Sequence, residues 1–150
     1  MNTFKKTEQL LYNYKKFQRS MQYKKDYIKF LKENGMQEIS KNFVGIRIPD
    51  NDKDKTDLLD ELIAKLQQDV LYIEKHLKFI EIALDNVRDD TYFTLIELKY
   101  FNGKSMEFIA EYFDVSVKTI YNQRDRLINI LRKYLFAEDV IYDFFQRRYD

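Results

Sequence analysis

Six side chains in one short stretch, Lys118, Thr119, Tyr121, Asn122, Arg124 and Arg126, are of types that recognise nucleic acid when one helix carries them together. An amide such as Asn122 and an ammonium such as Lys118, near a helix start, can hydrogen-bond to base edges. Arg and Tyr further along reach phosphates. Lys104 and Ser105, a short way upstream, would begin another helix whose first backbone N–H groups offer a phosphate anchor.

The elements that must position these groups are legible around them. Thr91–Phe101 reads as a first helix closed by Asn102-Gly103, since both residues tolerate the left-handed conformation of a C-cap. Ser105 is placed to cap a second helix, Met106–Phe113, with Ile109, Ala110 and Phe113 inward. Ala110 is small and would let the next helix approach closely. Asp114-Val115-Ser116 forms the turn, and Ser116 caps a third helix from Val117 to about Leu135. Val115, Ile120, Leu127 and Leu131 complete the core, leaving the polar set outside. This is the layout of a helix-turn-helix.

The stretch Leu98-Lys-Tyr-Phe-Asn-Gly-Lys-Ser-Met-Glu-Phe-Ile-Ala-Glu-Tyr-Phe-Asp-Val-Ser-Val-Lys-Thr-Ile-Tyr-Asn122 resembles region 4 of bacterial sigma factors. More closely it is similar to phage and prophage regulators of the ArpU/RinA type. Those proteins join a helical N-terminal part to a sigma-region-4-like module and control late phage genes. The opening Leu10-Leu-Tyr-Asn-Tyr14 and the overall size also look like that group. The resemblance covers about 45 residues, and nothing corresponds to the core-binding region 2 of a complete sigma factor. It implies that Lys118, Thr119, Tyr121, Asn122 and Arg126 lie where the family faces DNA. It also implies a bacterial host cytoplasm, and RNA polymerase as a possible partner.

The rest of the chain reads as a helical arm. Only three glycines and one proline interrupt the 150 residues, too few for the turns of an all-β fold, so the expected class is all-α. Leu10, Tyr14, Phe17, Met21, Ile28 and Leu31 share one face of a helix over about Thr7–Lys32, with Lys24 the one charge on that stripe and Asn34-Gly35 as its stop. Residues 35–56 form the connector, with a small turn or strand around Val44–Ile48 and a mobile loop at Asp50–Lys55. Thr56 is the expected N-cap of a second long helix, over 57–88.

In that second helix Leu59, Leu66, Ile73, Ile80 and Val87 form one seven-residue series. Ile63, Val70, Leu77 and Leu84 form another, offset by four. Residues 1–34 carry nine Lys/Arg against three Asp/Glu, and residues 57–90 carry four against nine, so the two helices are expected to face one another as a hairpin. The same seam, or the aromatic tail 136–150 with Val140, Ile141, Phe144, Phe145 and Tyr149, could also join a second subunit or meet polymerase. The implied organisation is an arm at 1–88, a helix-turn-helix at 89–135 and a C-terminal helix at 136–150.

Other chemistry finds little support. The chain has no cysteine, which excludes disulfides, thiolate metal sites and cysteine nucleophiles. His76 is the only histidine and reads as a surface side chain. The adjacent carboxylates Asp89-Asp90 and Glu138-Asp139 point apart on a helix, as capping or solvated charges do. No glycine loop, nucleophile elbow or metal cluster is present, so neither enzyme nor cofactor is expected. No segment has the length and apolarity of a signal peptide or membrane span, and a soluble cytoplasmic protein is the expectation. The function implied is sequence-specific transcriptional regulation through double-stranded DNA. The alternatives are a packaging protein of the small-terminase kind and a coiled-coil scaffold.

Overall fold

The computed structural model describes residues 2–39 and 48–137. Every regular element among them is helical: α1 (Thr3–Ile39), α2 (Asp52–Asp85), α3 (Phe93–Ile96) running into a π-helical turn (Glu97–Phe101), α4 (Met106–Phe113) and α5 (Val117–Leu135). None of the described helices is long and apolar enough to cross a membrane. The expected turn at Val44–Ile48, except Ile48 itself, and the aromatic tail beyond Ala137 lie outside the described residues. The chain divides into two compact units, Phe17–His76 and a second that joins Met1–Lys16 to Leu77–Asp150.

In the unit formed by Phe17–His76, α1 and α2 pack antiparallel. Lys24 Nζ lies 3.5 Å from Asp69 and Lys25 Nζ 2.8 Å from Glu74, while Leu31 and Ile39 meet Leu59 in a cluster that also takes in Ile63 and Leu66. The heptad seam therefore faces α1, and the complementary charges flank it, as the pattern predicts. The three clustered seam residues pack within the chain, Leu59 buried and Ile63 and Leu66 partly so.

Both helix ends differ from the sequence reading. Asn34-Gly35 does not stop α1, which continues to Ile39. Gly35 serves a different purpose: a Cβ there would lie 2.6 Å from Leu59 Cδ1, so the missing side chain lets α2 come close. At the other end, α2 begins at Asp52 and not after Thr56. Asn51 Oδ1 accepts from Asp54 N at 2.8 Å while Asn51 Nδ2 donates to Asp54 Oδ2 at 2.8 Å, a reciprocal cap. Asp52 and Asp54 in the first turn suit the helix dipole. Residues Asp52–Lys55, expected as loop, are thus helical, and Thr56 sits inside, donating its hydroxyl to Asp52 O. His76 is also not a free surface residue. Its ring meets Phe17 edge-on at 5.4 Å and stacks on Tyr72 at 6.2 Å.

The second unit is built on α3, α4 and α5. Leu95, Met106, Ile109, Ala110 and Ile120 are its buried centre, flanked by Tyr92, Leu98, Phe113, Val115 and Val117. On the first turns of α1, Leu11 is fully buried in place of the expected Leu10. The helix that opens at Phe93 does not stay regular. Asn102 N donates to Glu97 O, a span of five residues, and the widened turn lets two neighbours, Tyr100 and Phe101, both reach α1. Tyr100 packs edge-on to Tyr12 at 4.7 Å, and Phe101 stacks on Tyr14 at 5.1 Å. Gly103 at φ +66° then closes the segment in the expected left-handed conformation, and Lys104 N returns to Leu98 O.

Candidate nucleic-acid interface

Three caps fix the angle between α4 and α5. Ser105 Oγ accepts from Phe108 N at 3.1 Å and starts α4. Asp114 ends α4 at φ +55°, a left-handed position that Asp tolerates. Val115 N then donates back to Ala110 O at 3.0 Å. Ser116 Oγ accepts from Thr119 N at 3.1 Å and starts α5. Ala110, 4% exposed, is buried in the same cluster as Ile120 of α5, where a larger residue would crowd that helix.

Five side chains of α5, Ile120, Leu127, Ile128, Leu131 and Leu135, are buried. On a 3.6-residue period that commits one face and turns the opposite face outward. Lys118 and Asn122, one turn apart, stand on that outer face, exposed and without a hydrogen-bond or ion-pair partner among the described residues. Tyr121 is 44% exposed beside them.

The remaining expected contact residues have work inside the protein. Ser105 and Ser116 spend their hydroxyls on the caps. Thr119 is half-buried and its hydroxyl shares a hydrogen bond with Ser116 at 2.9 Å. Lys104 is exposed, with its ammonium 5.0 Å above the Phe108 ring.

Neither arginine is an open cation. Arg124 lies over the rings of Phe4 and Tyr121, at 5.6 and 5.2 Å, and pairs with Asp125 at 2.6 Å and Glu8 at 3.7 Å. Glu8 also accepts the buried Tyr100 hydroxyl at 2.7 Å; burial first, and then this carboxylate, hold that phenol protonated far above its ordinary range. Arg126 makes a two-pronged bond to Asp90, 2.8 Å on each arm, and gives its Nε to Gln123 Oε1 at 2.8 Å. Asp90 in turn accepts Tyr92 N at 2.9 Å. The guanidinium and this N–H hold the Asp90 carboxyl below the usual aspartate range.

Sequence reasoning therefore found the outward trio Lys118, Tyr121 and Asn122. It missed Phe4, Glu8 and Gln123, and it saw Asp90 only as a capping or solvated charge. Asp90 accepts Tyr92 N just ahead of α3, but its pairing with Arg126 joins positions 36 apart in the sequence, and no local spacing encodes that.

No metal-holding group of His, Asp and Glu exists among the described residues. No family model matches the chain, and no curated protein or solved structure matches it.

Proposed function

We propose that this chain is a sequence-specific regulator of transcription that lays α5 in the major groove of duplex DNA. One observation carries the reading: α5 is pinned by three caps and a buried stripe, and two free polar groups near its start, Lys118 and Asn122, share the outward face. A B-form major groove is wide enough to admit one α-helix, and an amide on the groove-facing side can make paired bonds to adenine. Lys118 then serves a phosphate or a guanine edge, and Tyr121 a neighbouring phosphate.

Charge supports the same surface. The sequence of α5 holds five Lys/Arg and one Asp, in a chain whose net charge is only +1. The control of late phage genes rests on the resemblance to ArpU/RinA-type regulators alone.

Selection of bound fragments from random duplexes with the purified chain tests the proposal. A recurring short site is expected at moderate salt. Failure to retain any duplex even at low salt, where phosphate contacts are strongest, removes the reading altogether.

A further inference from the structure

The outer face of α2, turned away from α1, has an order that is complementary to its own reverse. Glu61, Gln68 and Lys75 follow at intervals of seven residues, so they share one face, and Ala64 and Tyr72 lie one turn to either side of Gln68. All five are exposed, Tyr72 at 72%. Glu61, Gln68 and Lys75 have no hydrogen-bond or ion-pair partner among the described residues. An acid, a small residue, an amide, a large aromatic and a base are thus arranged around one central position.

We propose that this face binds a second copy of the chain, antiparallel, about a two-fold axis at Gln68. In a two-fold interface, if residue i meets j, then j meets i. Glu61 then faces Lys75 of the second copy, and Lys75 faces its Glu61. Ala64 leaves room for the other copy's Tyr72, twice. Gln68 meets Gln68, and a carboxamide is a self-complementary group because it both donates and accepts. A parallel pair in register would set Lys75 against Lys75 and Glu61 against Glu61, which like charges oppose. The sign pattern therefore selects the antiparallel copy. This surface is separate from the heptad seam, which α1 covers, and the inference does not depend on DNA binding.

Sedimentation equilibrium of the full chain tests it. Dimerisation is expected, with Glu61→Lys or Lys75→Glu alone raising the dissociation constant about tenfold or more, and the double exchange restoring it. Because all three variants alter exposed positions, matching thermal melts show that each is folded. Crosslinking fixes the register, since the natural chain has no cysteine. Gln68→Cys on mild oxidation gives a covalent dimer, whereas Asp57→Cys does not, its two copies lying roughly 33 Å apart at the usual helical rise. A strict monomer overturns the proposal. So does a dimer whose stability ignores the charge exchanges, or one that links through position 57 and not 68.

Discussion

Arg126 and Lys118 look equivalent in composition and differ in what surrounds them. Lys118 is an open cation, so Lys118→Ala should weaken binding to all duplexes and flatten the salt dependence of log K by about 0.9, the share of one phosphate. Arg126 already faces an anion within the protein. Asp90→Asn keeps the shape and removes the charge, freeing the guanidinium, so affinity should rise and the salt slope should steepen. An unchanged slope in titrations at several salt concentrations would show that Arg126 never meets a phosphate. The same pair predicts a pH effect. Asp90 is ionised below the ordinary aspartate range when folded, so its contribution to stability is complete above that range. It is lost as acid protonates the folded carboxyl. Urea midpoints measured from neutral to acidic pH should fall less steeply for Asp90→Asn than for the natural chain, and parallel curves would contradict this. On the alkaline side, burial first and then the bond to Glu81 push the Tyr14 phenol up to about 12. Its stabilising effect is present below the ordinary tyrosine value and disappears as pH rises through that raised one.

At the scale of elements, the same residue type gave opposite outcomes, and the reason is tertiary. Gly103 closes a helix at positive φ, as its Asn-Gly setting suggests. Gly35 sits in a like setting, Asn34-Gly35, yet lies within α1, where Leu59 occupies the space a side chain would need. Neighbouring sequence could not reveal that, since Leu59 is 24 positions away. A mutant cycle separates the two effects. Gly35→Ala alone should destabilise by about 1 kcal/mol or more through overpacking. On a Leu59→Ala background the same change should stabilise by about 1 kcal/mol, the helix-propensity difference. Denaturant unfolding that shows the same sign on both backgrounds would refute the close-approach role. The caps of α4 and α5 were legible because Ser105 and Ser116 act on backbone three residues ahead. Ser116→Ala should cost ~1 kcal/mol. The start of α2 was misplaced at Thr56, a residue of cap type, because the reciprocal bonds of Asn51 and Asp54 open the helix five residues earlier. The π-helical turn at Glu97–Phe101 left no local signature, because it answers to Tyr12 and Tyr14, far back in the chain.

For the whole molecule, the all-helical class followed from scarce turn residues and long periodic stretches, and the described residues agree with it. The placement of the outward trio on α5 followed from the buried stripe that opposes it. What the pattern could not supply was the list of internal competitors, Glu8, Asp90 and Asp125, which decide which cations remain open. With a net charge of +1, long-range attraction to DNA would be weak, so the proposed recognition rests on the local face of α5. Asn122 is the group on that face best suited to tell one base pair from another. The decisive measurement is fluorescence anisotropy of the natural chain and Asn122→Ala, each titrated with a selected duplex and with a shuffled one. Asn122 is exposed and unbonded, so the variant should melt like the natural chain while its preference for the selected duplex shrinks by ~1–3 kcal/mol. If the natural chain holds both duplexes equally, or if the variant retains the full preference, α5 is not the element that reads DNA.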